Sequence, residues 1–293
     1  MDIAFLLTNA IVVASIYGLI AIAVSITWSS LGLVNLAYGF IFSFAGYSAW
    51  LVADNVSRSP FLVAPAGILG GAVAGILVCV VVFIPLHDKP AFTSRGLIAT
   101  LAISLIGSQV FLMLFGPTSK SLPELFGRWK VQFLGLTLTA DKLGIVVCSV
   151  LMLTVVVAWM KGSRRGLEIR AMMMNPHAAS IVGIGIRRTG LYVMGLTGAM
   201  AGLAAVLLSQ TYYIAPFSGL TPLIKGVSIA LCGGLGSVQG AVIAAILLGL
   251  VEALTNKYLG GQYVLMVQFL VIIVVLIIRP RGISGLLDKA REQ

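Results

Sequence analysis

The chain has 293 residues, 59% hydrophobic and only 10% charged, with a mean hydropathy of +1.09 and a formal net charge of +10. Soluble domains carry about 25% charged residues, so the composition excludes an ordinary soluble domain and indicates a polytopic membrane protein. The positive balance does not argue for nucleic acid, because the basic residues fall in loops between apolar stretches and read as topology.

In chain order, apolar runs bounded by charge or by Pro/Gly clusters predict spans at 3–27, 37–53, 61–86, 96–115, 143–160, 189–210, 238–255 and 263–278. A ninth piece, 221–235, is shorter and rich in glycine. No charged residue occurs in 3–53 or in 190–224, and each run exceeds the roughly 20 residues that one membrane helix needs. All spans should be helical, because an open chain in lipid must satisfy its own backbone polar groups. The ten-residue alternating segments of an outer-membrane barrel are absent. The expected fold is therefore all-α: one polytopic transmembrane helical bundle over 1–293, with about eight to nine spans, some short or discontinuous. Asp2 is the only early charge, so the first apolar segment lacks the basic flank of a signal peptide and is expected to remain as a span. Cys79, Cys148 and Cys232 lie singly in apolar segments, which suits buried thiols rather than a disulfide framework or a zinc site.

Orientation follows from the basic residues. Lys89, Arg95, the six basic residues of 161–188, Arg279, Arg281, Lys289 and Arg291 total twelve on one side; Arg58, Lys120, Arg128, Lys130, Lys142 and Lys257 make six on the other. The positive-inside rule puts the first group in the cytoplasm. The loop 161–188 and the C-terminus then share a side, so an even number of crossings must separate them. Segment 221–235 is accordingly expected to cross, giving nine spans and an external N-terminus. The outer loop 116–142 mixes Lys120, Glu124, Arg128, Trp129 and Lys130, which fits a solvated loop with an aromatic anchor or a partner-facing surface.

The loop 161–188 reads KGSRRGLEIRAMMMNPHAASIVGIGIRR, with six basic residues and one acid. Asn175–Pro176 is a helix start, since the Asn side chain can cap free amides and Pro is tolerated in the first turn. Gly183 and Gly185 supply a stop. Two short helices are predicted, 165–174 and 176–184. Ile169, Met172, Met173 and Ile181 offer adaptable apolar knobs among Arg164, Arg165 and Arg170. A docking surface for another protein and an amphipathic helix lying on anionic lipid both fit this pattern.

The stretch GLEIRAMMMNPHAASIVGIGIRR resembles the cytoplasmic coupling segment of bacterial ABC-importer permeases for branched-chain amino acids, the LivH-type subunit. Arg170, Ala171, Asn175, Ala178, Ala179, Gly183 and Ile184 match the family's pattern there, and Arg165 and Glu168 belong to the same segment. Two further stretches look like the same family: YGLIAIAVSITWSSLGLVNLAYG near the start and KGVSIALCGGLGSVQGAVIAAILLGLVE over 225–252. The resemblance implies a single permease domain, in which 161–188 couples to ATPases. It also implies a second homologous permease, two ATP-binding subunits and a periplasmic or lipid-anchored substrate-binding protein. No Gly-x-x-x-x-Gly-Lys-Ser/Thr phosphate loop occurs in the chain, so ATP and Mg are expected in the partner ATPases and no cofactor in this subunit. The early motif departs from the family, where it often reads N-F-A-H-G; here it is Asn35-Leu36-Ala37-Tyr38-Gly39. Similar permeases serve urea, short amides or other amino acids, so the solute stays open between these and branched-chain amino acids.

Glycine gives the late motif a physical reading. Gly233, Gly234, Gly236 and Gly240 permit close helix contact and non-helical backbone, and broken helices can direct their ends at a transported solute. Pore lining and simple tight packing are both open for Gly233, Gly234 and Gly236, and for Asn35, Tyr38 and Gly39. Lys225 and Glu252 are the ionisable residues most embedded in apolar sequence. They either approach each other in a polar pocket or snorkel separately to the interface. Gln109, Gln210, Gln239 and Gln268 are expected to bond across helices. A stand-alone secondary transporter would show an intramembrane chain of Asp, Glu or His if proton-coupled. An intramembrane enzyme would need a nucleophile with a base, paired carboxylates or a metal motif. Neither set is evident.

Overall fold

The computed structural model describes residues 2–127, 129–133 and 136–284. Arg128, Lys289 and Arg291, used in the charge count, lie outside the described residues. The helices are α1 (Asp2–Leu31), α2 (Tyr38–Asn55), α3 (Pro60–Val78) with a π turn Cys79–Phe83 leading into α4 (Ile84–Leu86), and α5 (Phe92–Phe115). After a short antiparallel hairpin, β1 (Lys130–Phe133) and β2 (Leu136–Thr139), come α6 (Ala140–Gly162), α7 (Arg164–Met174), α8 (Pro176–Ile181) and α9 (Ile186–Leu208). The chain then forms α10 (Leu220–Gly233), α11 (Val238–Tyr258) and α12 (Val264–Ile278). The polytopic helical bundle is thus observed. The hairpin is its one sheet among the described residues.

Seven helical segments are long and apolar enough to span a membrane: those of α1, α3–α4, α5, α6, α9, α11 and α12. The central one is α1, whose Leu19, Ala21 and Ala23 are fully buried; a helix apolar all round belongs in the middle of a bundle. By contrast α6 and α12 expose most of their apolar side chains at the periphery, where lipid or another subunit replaces protein contacts. The tightest pair is α3 with α9. A Cβ on Gly71 would run into the Gly198 carbonyl, one on Gly75 into the Met194 carbonyl, and one on Gly202 into the Gly67 carbonyl. Small residues four apart on both helices let the backbones touch, which supplies the dispersion contact that drives helix association in lipid. The π turn ends two residues before Pro85. Pro85 cannot donate to a carbonyl one turn back, and the Ile84 amide reaches Cys79 instead.

Neighbour contacts fix the direction of every element. α1 and α6 run together, with Lys142 Nζ 2.7 Å from Asn9 Oδ1 at one end, while α6 enters α7 at the other. α11 runs against α1, pairing Gly249 with Ala14 and Ala245 with Gly18. α2 rises beside α5, pairing Phe40 with Gly107 and stacking Tyr47 on Phe115 at 4.3 Å. Each segment reverses the one before, so α2 and α10, added to the seven candidate spans, make nine passes through the bundle, and Asp2 lies at the end opposite α7 and α8. α10 has only 14 residues, about 21 Å at ~1.5 Å per residue, against a hydrocarbon core of about 30 Å. The non-helical stretch 209–219 supplies the remaining depth.

That stretch can sit at membrane depth only if its backbone is satisfied. Ile214 exchanges two 2.8 Å backbone bonds with Lys120, the Leu125 amide donates to Gln210 Oε1 at 3.0 Å, and Pro216 accepts from Ser43 Oγ at 3.3 Å. The outer loop therefore reaches down and closes over a broken helix, which its composition did not show. A second break, 32–37, precedes α2. There the Leu36 amide donates to Thr100 Oγ1 at 3.1 Å and the Ala37 amide to Asn35 Oδ1 at 2.9 Å.

Candidate functional site

Three groups of residues stand out, and they lie at different depths. At the basic end, α7 and α8 form the bent pair read from the sequence. Asn175 caps α8, its Oδ1 accepting from the Ala178 amide at 3.0 Å, with Pro176 in the first turn. Ser163, not singled out by sequence, caps α7 by accepting from the Gly166 amide at 2.8 Å. α8 stops at Ile181 rather than 184, because Gly183 turns the chain with φ +89 and Ile184 folds back against the core. Arg165 pairs with Glu168 at 2.9 Å and lies over the Tyr192 ring at 5.0 Å; Arg170 donates to the Lys161 carbonyl at 3.3 Å. Ala171 is half-buried, Ala179 buried, and Ala178 and Gly183 exposed.

The apolar knobs differ from the sequence reading in one respect. Ile169 and Met172, three residues apart, are fully buried against the bundle and anchor α7. The side chains that face outward are Leu167, Met174, Ile181 and Val182, the last two 77% and 76% exposed. Gly166 sits against the Met160 backbone, where a Cβ would clash, so α7 folds tightly back on α6. Nearby, Arg187 bonds Asp88 at 2.5 Å and holds that carboxyl below its ordinary range, while burial pushes the His87 imidazole down.

The second group is the pair of glycine motifs. Asn35, Tyr38 and Gly39 are buried at mid-bundle, with Tyr38 Oη 2.7 Å from Thr27 Oγ1 and donating to the Ala23 carbonyl at 3.1 Å. Asn35 Nδ2 reaches Met194 Sδ at 3.7 Å. A Cβ on Gly219 would meet the Gly39 carbonyl, so the starts of α2 and α10 touch backbone to backbone. Gly233 is packed on Gly240 at the start of α11, Gly234 turns the chain with φ +96, and Gly236 lies beside Ser29. Within this single chain these residues fix the two broken helices and their turns, and none of them lines either cavity described next.

The third group is the embedded charges, which the structure brings together. Lys225 Nζ lies 2.7 Å from Glu252 Oε1, with the residues only 7% and 3% exposed. Two neighbours complete the cluster: Tyr17, unmarked in the sequence, and Gln268, whose expected bond across helices is observed. Tyr17 of α1 offers its hydroxyl to Lys225 at 3.4 Å, and Gln268 of α12 donates to Glu252 Oε2 at 2.9 Å. Four helices thus meet at one ion pair. Glu252, Tyr17, Asn9, Asn256 and Lys142 line a cavity of 590 Å³. Lys225, Tyr17, Phe42, Ser218 and Thr221 line a second of 280 Å³, and Leu208 and Tyr212 border both. A lone tyrosine in a charge-free span was the available signal for Tyr17.

Comparison with known proteins matches residues 6–276 to the family described as branched-chain amino acid transport system, permease component. The permease LivH of Escherichia coli, named for high-affinity branched-chain amino acid transport, is 30% identical over 94% of this chain and 94% of its own length. BraD of Pseudomonas aeruginosa, similarly named, is 27% identical over 95% of this chain and 94% of its own. A solved structure, PsaBC from Streptococcus pneumoniae in complex with Fab, shares the fold. Its TM-score is 0.53 at 13% identity, covering 94% of this chain and 92% of that one.

Proposed function

This chain belongs to the branched-chain amino acid transport permease family and is a multi-pass inner-membrane transport subunit, and on that premise we propose that it serves an ATP-driven importer. Branched-chain or related neutral amino acids would reach it from a substrate-binding protein. ATP and Mg would be used by two partner ATPases, with a second, homologous permease completing the membrane unit. The observation that carries this reading is the α7–α8 pair. It presents Leu167, Met174, Ile181 and Val182 outward at the basic end, while Ile169 and Met172 lock it to the bundle. Such a lever transmits a push without deforming, because its root is close-packed. Closure of the ATPases against α8 would rock the bundle and switch access from one side of the membrane to the other. The broken segments 32–37 and 209–219, with Asn35, Tyr38 and Gly39 at the first and Gly233, Gly234 and Gly236 at the turn that ends α10, would give the path its irregular mid-membrane walls.

The test is purification of the tagged chain from its native membrane in mild detergent, followed by mass spectrometry of the associated chains. A phosphate-loop ATPase and a second permease should co-purify. The variant Ile181→Asp/Val182→Asp should lose the ATPase while reaching the membrane at the normal level. Recovery of the chain alone, from detergent that preserves known complexes, would favour a self-sufficient transporter. Uptake of urea or short amides in place of amino acids by the purified complex would reassign the solute.

A further inference from the structure

Lys225 and Glu252 lie on α10 and α11, outside the α7–α8 pair. The described ion pairs at the basic end, Arg165–Glu168 and Arg187–Asp88, are far more exposed. An ion pair whose task is only to join helices is best sealed by packing on every side. This one instead stands between two cavities, Lys225 facing the smaller and Glu252 the larger, with Tyr17, Leu208 and Tyr212 shared between them.

We propose that this pair is the chain's transient seat for the charged head of the transported amino acid, with Lys225 and the first turn of α10 taking the carboxylate and Glu252 the ammonium. The inference deepens the amino-acid reading above and rests on it. A neutral amino acid carries one carboxylate and one ammonium, and neither can leave water without an opposite charge. A preformed Lys–Glu pair offers both. As the zwitterion enters, each protein charge exchanges one counter-charge for another, so none is stranded.

The neighbours suit that exchange. Tyr17 Oη can accept from Lys225 or donate to the incoming carboxylate, and Gln268 keeps its bond to Glu252 when Lys225 turns away. Of the three N–H donors on Lys225, the described bonds to Glu252 and Tyr17 use two, which leaves one for a ligand. Ser218, Thr221 and Pro222 place the beginning of α10 on the smaller cavity; the Leu220 amide there already donates to Phe217 and Pro222 has none, so this end offers the Thr221 amide and the positive potential of a helix start. Phe42 and Leu208 provide apolar wall for an aliphatic side chain in the same cavity.

The test uses the complete transporter, this chain with its co-purified partners, in proteoliposomes. Uptake of radiolabelled leucine is measured beside receptor-stimulated ATP hydrolysis and thermal stability. The variant Lys225→Met/Glu252→Gln removes both charges while keeping the volume and the Gln268 partner. The expected result is a stable, receptor-stimulated complex whose leucine uptake falls at least tenfold. Uptake at the wild-type rate would overturn the inference and make the pair a structural tie. Should that variant fail to assemble, Lys225→Glu/Glu252→Lys keeps an ion pair but reverses it, setting a carboxylate beside the start of α10. Its uptake should stay low even when the complex is stable, and wild-type uptake would again overturn the proposal. A wild-type complex that moves no amino acid would overturn the importer reading and this inference with it, a result distinct from the other two.

Discussion

A lysine and a glutamate on adjacent membrane helices have few tolerable surroundings, because either charge alone in an apolar interior is costly. The 2.7 Å contact between Lys225 and Glu252 resolves the problem for both. Removing one partner leaves the other stranded, so Glu252→Ala should destabilise the folded chain by about 3–5 kcal/mol, read as a lowered melting temperature in detergent. Exchanging the two charges should recover most of that loss. Tyr17 can donate as well as accept, and the Gln268 amide can turn its oxygen toward a lysine at 252. If the exchange recovers nothing, the two residues do not form a pair in the folded protein. At this scale the sequence was informative about the charges themselves, since isolation in an apolar run made both conspicuous. It marked Gln268 as a residue that bonds across helices without naming Glu252 as its partner, and it said nothing of Tyr17, whose role arises only from the meeting of α1, α10, α11 and α12.

Helix ends were legible where local chemistry sets them, as at the Asn175 cap and the Gly183 stop. Faces were less so. Ile169 and Met172 looked like outward knobs because α7 is basic and short, yet they point inward, since Gly166 lets α7 lie flat on Met160. The α3–α9 contact also escaped the reading. Gly67, Gly71 and Gly75 repeat at four residues, as do Gly198 and Gly202, but a glycine stripe does not name its partner helix. The backbone contact makes a sharp prediction. Gly71→Val would drive a branched side chain into the Gly198 carbonyl, and the loss should reach or exceed the top of the usual overpacking range of about 1–3 kcal/mol. Gly162→Ala, at the end of α6 with nothing within 4 Å of the added methyl, should lie between neutral and a gain of about 1 kcal/mol. Size-exclusion profiles after heating in detergent would separate them, and equal tolerance of both would refute close α3–α9 packing.

The even number of passes between 161–188 and the last helix, expected from charge counting, is the property of the whole molecule that the helix directions repeat most directly, because that count depends on loops rather than on how helices pack. What it could not supply was the way α10 crosses. Fourteen residues are too few, and the missing depth comes from 209–219, held by Ser43 of α2 and by Lys120 of the outer loop. The nine passes place α11's far end, with Tyr258 71% exposed, on the opposite side from Val182, 76% exposed. With the native cysteines replaced by serine or alanine, a membrane-impermeant thiol reagent applied to intact cells should label Tyr258→Cys and spare Val182→Cys. Inverted vesicles should reverse the pattern. Were α10 and its preceding stretch a re-entrant hairpin, α11 would run the other way. Tyr258 would then share a side with Val182, and both cysteines would label together. Labelling on opposite sides is also what the ion-pair proposal requires, since only then do the cavities beside Glu252 lie toward the face that a substrate-binding protein would occupy.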